Sequence, residues 1–406
     1  MRRLALFLIV FAALGFGPAH AAPPGPLILV SIDGYRAEYF HRGLDPTLQR
    51  LAMEGVRASA MSPSFPSLTY PNHYTLVTGL RPDHHGVIDN TMEDPAKPGV
   101  RFAMASRDIT ADPFWWNGAP PLWVTAERQG VRTATMFWPG SDVEVQGVRP
   151  HDWRKFDMSV TPAERVDTVL GWLDAPPGQR PRFLTLYFDD VDHDGHLHGV
   201  DSPELAESIR RVDAALARLV AGLKARGLYD QTNLVVVSDH GMASISRERV
   251  VVLDDLVDLG HIRLVTSGST ATLAPAPGHE AEVERALLGR HGHAQCWRKG
   301  EVPERFHYGS NPRVQPIVCL ADTDWQILTR ERAARPRFDP GAHGFDPAAP
   351  EMQALFVARG PAFRSDGAVI GPIENVDVYP LLMRVLDLPA RMSDGNLERV
   401  APALRR

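Results

Sequence analysis

Leu27-Ile28-Leu29-Val30-Ser31-Ile32-Asp33 and Leu234-Val235-Val236-Val237-Ser238-Asp239-His240 are the two stretches whose reading decides the fold. Each is a short apolar run that closes on a carboxylate. A strand covered on both faces reads as an unbroken apolar run, whereas a strand with one wet face alternates. Both are therefore expected as buried strands of a parallel sheet. In open α/β sheets binding groups gather outside the carboxyl ends of such strands, so Asp33, Asp239 and His240 are expected to converge in space.

Outward from these runs, strand-like stretches near Thr133 to Trp138, Phe183 to Phe188 and Ala354 to Ala358 alternate with amphipathic segments. A helix is expected from about Pro46 to Glu54, and a last one from about Val376 to Leu386. The clearest helix starts at Ser202-Pro203, an N-cap followed by proline at the first helical position, and stops at Gly227. Within it Ile209, Val212, Leu216, Leu219, Val220 and Leu223 recur at helical spacing, which predicts a face packed on the sheet. The alternation predicts an α/β chain with a mainly parallel sheet flanked by helices. Between His240 and His343 the pattern loosens into short pieces such as Val250 to Leu253 and Ile317 to Leu320. An inserted smaller lobe at about residues 245–338, beside the active site, is the expectation.

Met1-Arg2-Arg3, the apolar stretch Leu4 to Gly17 and the small-residue pattern Ala19-His20-Ala21 read as a secretory signal over residues 1–21. The apolar stretch falls short of the about 20 residues that a membrane span needs, and Pro23, Pro24 and Pro26 follow it. The chain is thus expected to be exported, periplasmic or secreted, with a catalytic domain over 22–406 and no transmembrane anchor after cleavage. Its only cysteines, Cys296 and Cys319, are expected to pair in that oxidising compartment, two free buried thiols being the alternative. The net charge of −6 and the absence of a long basic run give no argument for a nucleic-acid backbone as partner.

Asp192-His193-Asp194-Gly195-His196-Leu197-His198-Gly199 follows the Phe183 to Phe188 run and is dense in the oxygen and nitrogen ligands that zinc takes. Asp239-His240, at the end of another strand, strengthens a metal reading. His343, between glycines in Gly341-Ala342-His343-Gly344, is by itself an ordinary loop residue. Thr69 stands ahead of a segment able to become a helix through Leu76 and Val77. Metal coordination would make its hydroxyl a competent nucleophile, and the helix N-terminus would offer N–H groups to phosphate oxygens. Simple helix capping is the alternative for Thr69. From the residues alone, Ser67, Thr69 and Thr75 are nearly tied as nucleophile.

Thr69-Tyr70-Pro71-Asn72-His73, with Asp33 upstream, Gly86-Val87-Ile88-Asp89-Asn90 downstream, then Asp192 with His196, Asp239-His240-Gly241-Met242 and Gly341-Ala342-His343-Gly344, resembles the nucleotide pyrophosphatase/phosphodiesterase family of the alkaline phosphatase superfamily. The similarity runs from about Leu27 to Leu388. It implies an alkaline phosphatase-like fold, two zinc ions and Thr69 as nucleophile. It also implies that Asp192, His196 and His343 hold one zinc, while Asp33, Asp239 and His240, with the Thr69 oxygen, hold the other. Asn90 would donate to a phosphate oxygen, and Tyr70 and Tyr187 would sandwich a nucleobase. For these three residues a turn and core packing are the plain alternatives. His193, Asp194 and His198 crowd the implied ligands and leave their exact choice open, with supporting roles around the ligands as the alternative.

The expected activity is hydrolysis of nucleotide phosphodiester or pyrophosphate bonds, releasing nucleoside 5′-monophosphates. A phosphomonoesterase, a phosphodiesterase for phospholipid head groups and a non-catalytic exported metal-binding protein are the rivals. A sulfatase would need a Cys/Ser-x-Pro-x-Arg motif, and neither Cys296 nor Cys319 begins one.

Overall fold

The structure, a computed structural model, describes residues 25–405, so the expected export signal over 1–21 lies outside the described residues. An eight-stranded sheet runs through the molecule. Its strands are β1 (Leu27–Ile32), β2 (Val56–Ala58), β3 (Thr133–Met136), β4 (Asp152–Trp153), β5 (Phe183–Phe188), β6 (Asn233–Val237), β7 (Phe356–Arg359) and β8 (Ala368–Ile370). Their spatial order is β8-β2-β7-β6-β1-β5-β3-β4. The pairings β1 with β5 and β6, β3 with β4 and β5, and β2 with β8 are parallel.

β7 departs from the parallel expectation: it runs antiparallel to both β6 and β2. The reason is where the chain comes from. Phe356 opens the strand opposite Val237, at the end of β6 from which Ser238-Asp239-His240 continue, so the segment that carries His343 can enter the sheet only against the direction of β6. The run expected to Trp138 stops at Met136, and the chain turns through Gly140, which has φ 82°.

Side chains of a strand point alternately to its two faces, and the fully apolar β1 serves both. Ile28, Val30 and Ile32 join one buried cluster with Ile209, Val212, Leu216, Leu219, Val220 and Leu223. The latter six lie on the long helix Pro203–Ala225, whose N-cap Ser202 accepts a hydrogen bond from Leu205 N. Leu27 and Leu29 join the opposite cluster with Leu76, Val77, Leu381 and Leu382. Burying each such side chain contributes about 1.5–3 kcal/mol relative to exposure, so the two layers clamp the strand ends that carry polar residues.

Two helices were not among those expected. Pro162–Trp172 is started by a capping box in which Thr161 accepts from Glu164 N while the Glu164 side chain accepts from Thr161 N. Asp190–His198 forms directly after β5 and carries the run dense in carboxylates and imidazoles.

Residues beyond His240 build a second sheet, five-stranded and antiparallel, in the order Ile262–Thr266, Thr270–Pro275, Ile317–Ala321, Ala294–Arg298, Gly289–His291. It has its own apolar cluster, including Leu273, Val283, Leu287 and Ile317. Cys296 and Cys319 face each other across neighbouring strands and form a disulfide, the favoured of the two alternatives above.

His85 holds the loop that follows the helix Thr69–Thr78. It is fully buried; its Nδ1 accepts from Val87 N at 3.1 Å, and its Nε2 stands 3.0 Å from Thr75 Oγ1. An Nδ1 that accepts a backbone N–H carries no proton, so the ring is the neutral Nε2–H form. Burial pushes its pKa down to about 3, whereas an unfolded imidazole titrates near 6.5. The unfolded state therefore takes up this proton first, and stability present above about pH 6.5 is lost as the pH falls toward 3. Denaturant unfolding at pH 8 and pH 5 should show His85→Gln losing about 2 kcal/mol less over that interval than the parent chain. An equal loss in both would place the acid sensitivity elsewhere.

Candidate active site

The parallel register brings the carboxyl ends of β1, β5 and β6 to one level, with Ile32 beside Phe188 and Ser31 beside Val237. The next residues are polar because the chain leaves the sheet there: Asp33, the helix Asp190–His198, and Asp239-His240. Gly34, at φ 67°, permits this closeness, since a Cβ on it would meet Asp192 Cα and Cβ at 2.9 Å. Its N–H donates to Asp239 Oδ1 at 3.2 Å.

Two adjoining groups result. In the first, His240 Nε2 lies 3.3 Å from Thr69 Oγ1, 3.5 Å from Asp33 Oδ1 and 3.0 Å from Asp239 Oδ2. In the second, Asp192 Oδ1 lies 3.5 Å from His196 Nε2 and 3.6 Å from His343 Nε2. The His240 and His343 rings stack with centroids 3.7 Å apart and join the groups. All seven residues that the resemblance implies as metal ligands are thus brought together.

Hydrogen bonds fix the orientation of the imidazoles. Nδ1 of His196 meets Gly341 O at 2.8 Å, Nδ1 of His240 meets Gly241 O at 2.8 Å, and Nδ1 of His343 meets Ser67 O at 2.9 Å. A carbonyl oxygen only accepts, so each ring carries its proton on Nδ1 and turns an Nε2 lone pair toward the cluster. Gly341 can supply its carbonyl because it has no side chain: a Cβ there would meet Gly195 O at 2.1 Å.

Three buried carboxylate oxygens, Asp33 Oδ1, Asp192 Oδ1 and Asp239 Oδ2, have no hydrogen-bond partner. Burial, then the neighbouring Asp239 and Asp192, push the Asp33 carboxyl well above the usual carboxylate range. Burial also drives the His343 imidazole well below its ordinary value. Unpaired acceptors in a dry site carry a large desolvation cost. What the set lacks is positive charge, and its mixture of imidazole nitrogen and carboxylate oxygen suits a divalent cation of zinc's class.

The neighbours of these residues have other work. Asp194 accepts from Ser208 Oγ and, at 3.3 Å, from Arg211 Nη2, while His193 and His198 are exposed. Helical spacing explains the division, since Asp192 and His196 are four apart and share a face. Among the hydroxyls, Ser67 Oγ donates to Phe345 O at 2.9 Å and Thr75 Oγ1 is bound to His85. Thr69 opens the helix Thr69–Thr78, but Leu68 is the N-cap and no side chain caps it; the Thr69 hydroxyl faces the cluster instead.

Asn90 Oδ1 accepts from Tyr70 N at 2.8 Å, which turns its NH2 away from that helix end. Beside the cluster lies a cavity of about 350 Å³ whose lining includes Tyr70, Trp116, Phe137, Trp138, Phe156 and Tyr187, with Arg107 and Asp142 as charged members. Tyr187 is only 8 % exposed, and its hydroxyl donates to Asp33 Oδ2 at 2.5 Å. Its side chain therefore reaches from the cavity wall into the cluster.

Three further residues matter here and were not singled out by sequence. His73 is fully buried, with Nδ1 2.9 Å from Thr69 O and 3.3 Å from Asp239 Oδ2 and Nε2 2.9 Å from Ser31 Oγ. Its Nδ1 donates to Thr69 O and its Nε2 accepts from Ser31 Oγ, so it ties β1 to the first turn of the helix Thr69–Thr78 beside Asp239. Its signal was the four-residue spacing from Thr69. Arg313 donates to Gly86 O, Trp115 O and Phe114 O and pairs with Asp94, which ties the Asn90 loop to the cavity wall. Arg165 donates to Tyr187 O at 2.9 Å and Asp189 Oδ1 at 2.6 Å. Neither arginine has a local sequence signal, because the partners that tie it to the site, Gly86, Phe114 and Trp115 for Arg313 and Tyr187 and Asp189 for Arg165, are distant in the chain.

Residues 27–346 match the family model described as Type I phosphodiesterase / nucleotide pyrophosphatase. An uncharacterized pyrophosphatase/phosphodiesterase of Schizosaccharomyces pombe is 37% identical over 390 residues, covering 93% of this chain and 80% of that protein. Ectonucleotide pyrophosphatase/phosphodiesterase family member 1 of Rattus norvegicus is 38% identical over 94% of this chain, which spans only 43% of the rat protein. The solved structure of murine ectonucleotide pyrophosphatase/phosphodiesterase 5, an inactive variant in complex with AMP, superposes with TM-score 0.89 at 36% identity and covers 94% of this chain and 100% of that one. The fold is alkaline phosphatase-like, and the chain belongs to the Type I phosphodiesterase/nucleotide pyrophosphatase family of hydrolases.

A cation that binds the folded cluster and not the unfolded chain stabilises by mass action, by about 2.7 kcal/mol at a hundredfold excess over its dissociation constant. Adding a divalent transition metal to chelator-stripped protein should therefore raise the melting temperature by several degrees. Asp239→Asn should lose much of that rise. An unchanged melting temperature in the parent chain would sink the cation reading of the cluster.

Proposed function

We propose that the chain is an exported two-zinc phosphodiesterase and nucleotide pyrophosphatase that uses Thr69 as nucleophile and releases nucleoside 5′-monophosphates. The observation that carries this reading is the placing of Thr69 Oγ1, 3.3 Å from His240 Nε2, beside buried carboxylate oxygens that have no hydrogen-bond partner. Asp192, His196 and His343 would hold one zinc; Asp33, Asp239 and His240, with the Thr69 oxygen, would hold the other. Zinc bound there would lower the pKa of the hydroxyl and offset charge on the phosphoryl and leaving oxygens.

The chain's own residues account for the remaining demands. Phosphoryl transfer asks for a positioned nucleophile and a stabilised charge more than for covalent chemistry. Thr69 Oγ1 forms the new bond to phosphorus as the bond to the leaving alcohol or phosphate breaks. Water then cleaves the Thr69–phosphorus ester of this nucleotidyl-threonine, releasing the nucleoside 5′-monophosphate and restoring the hydroxyl. Asn90, anchored through Oδ1 by Tyr70 N, keeps its NH2 for a phosphate oxygen. The aromatic cavity that includes Tyr70 and Tyr187 in its wall suits the flat apolar faces of a nucleobase.

The relatives support the same substrate class. The murine structure holds AMP in a threonine-to-alanine variant called inactive, and the related proteins of Xenopus laevis and Bos taurus are named bis(5′-adenosyl)-triphosphatases. Export is supported by the pattern of residues 1–21, by the Cys296–Cys319 disulfide and by the ectonucleotidase names of relatives. No helix among the described residues is long and apolar enough to cross a membrane.

Metal analysis of the active protein should find two zinc ions bound by the catalytic cluster, with Asp192→Asn losing one and Asp239→Asn the other. One ion in fully active parent protein would overturn the two-metal assignment.

Thr69→Ala should abolish turnover while retaining zinc, and Thr69→Ser should keep measurable turnover. Asn90→Ala should cost on the order of 10²-fold to 10³-fold in turnover, the usual penalty for one donor aimed at developing charge. A nitrophenyl ester of a nucleoside monophosphate should be cleaved far better than nitrophenyl phosphate. Near-normal activity of Thr69→Ala would remove the nucleophile, and a reversed ester preference would favour the phosphomonoesterase.

A further inference from the structure

The smaller sheet carries a second cluster of ligating side chains that the reaction does not use. His261 closes the turn Leu259–His261 just before the edge strand Ile262–Thr266. Its carbonyl accepts from Ala276 N at 2.7 Å, which brings the next connection alongside. That connection ends at His279, the N-cap of the helix Glu280–Leu287, and Glu282 lies in the helix's first turn.

The three side chains meet. His261 Nδ1 is 2.9 Å from Glu282 Oε1, and His279 Nδ1 is 3.1 Å from Glu282 Oε2. The two rings stack with centroids 3.6 Å apart, and one ligating atom from each residue lies within 4.8 Å of the others. Helical spacing accounts for His279 with Glu282, which are three residues apart and face each other. It does not account for His261, which comes from another element and shares the same carboxylate.

We propose that His261, His279 and Glu282 form a surface site for a divalent transition cation of the zinc or copper class, separate from the catalytic cluster. Zinc bonds of about 2.0–2.2 Å place tetrahedral neighbours about 3.3–3.6 Å apart, and each imidazole already lies within a few tenths of an ångström of that distance from one oxygen of Glu282. For both imidazoles to meet the ion through Nδ1, the stacked rings, 20° from parallel, must splay, and each Nδ1 proton moves to Nε2. For His261 that proton faces Asp258, whose Oδ2 is 3.9 Å from Nε2 and whose Oδ1 is anchored by Gly260 N at 2.8 Å. A carboxylate behind a ligating imidazole fixes the ring and raises its basicity. Two imidazoles with one carboxylate select a transition metal over calcium or magnesium. Solvent completes the coordination, since all three side chains are at least partly exposed.

The test compares zinc bound by the metal-loaded parent protein and by His279→Ala and His261→Ala, using equilibrium dialysis against free zinc up to about 100 µM. The parent should bind one more ion per chain than either variant, with diester turnover and melting temperature before zinc addition unchanged by the substitutions. Because the result is a difference, it holds however many ions the catalytic cluster takes. In the parent, zinc should also shift the imidazole proton signals of His261 and His279. Equal stoichiometry in parent and variants, or an extra ion that appears only at millimolar zinc, overturns the proposal.

Discussion

Unpaired negative charge in a dry place governs this molecule. Asp33, Asp192 and Asp239 each bury a carboxylate oxygen that no protein donor reaches. The Nδ1 protons of His196, His240 and His343 do not reach them, because they are committed to backbone carbonyls. A fold assembled around such a cluster bears a desolvation cost that only the packing of its surroundings can offset. The fully buried β1, sandwiched between two apolar layers, supplies that packing at the point where it is needed.

The same constraint shapes elements far from the chemistry. His343 has to reach the carboxyl ends of strands that precede it by a long stretch of chain, and the cost is a strand, β7, that re-enters the sheet antiparallel. Gly34 and Gly341 have no alternative where they stand, since a Cβ on either would collide with Asp192 or with the carbonyl of Gly195. These residues look like loop punctuation in the sequence, yet each sets how closely two segments of the cluster approach.

The parts legible in the sequence were those with local causes. Unbroken apolar runs mark buried strands, and the polar residue after such a run marks a carboxyl end, so the convergence of Asp33, Asp239 and His240 needed no homology. Ser202-Pro203 and the spacing from Ile209 to Leu223 placed the long helix for similarly local reasons. Asp190–His198 was opaque because its helix is set by the sheet it leaves: aspartates, histidines and a central Gly195 have little helical preference. Without the helix, the four-residue spacing of Asp192 and His196 has no geometric meaning. His343 between glycines was legible only through the resemblance. The antiparallel sense of β7 and the roles of Arg165 and Arg313 are consequences of tertiary approach, which no window of residues contains.

Tyr187 shows how the cavity and the charged cluster become one device. Its ring stands edge-on to His73 at 5.1 Å and to Phe156 at 5.8 Å, and its hydroxyl ends on Asp33. Arg165 seizes the Tyr187 carbonyl and Asp189 together, at the junction where β5 becomes the helix of Asp192 and His196. Its guanidinium also lies over Phe137 and Phe156. A displacement of the aromatic wall is therefore carried by directional contacts to Asp33 on one side and to the start of the helix of Asp192 and His196 on the other. Close packing makes these contacts stiff, so an occupant of the cavity and the charged cluster are held in a common frame, and position is most of what phosphoryl transfer asks of a protein.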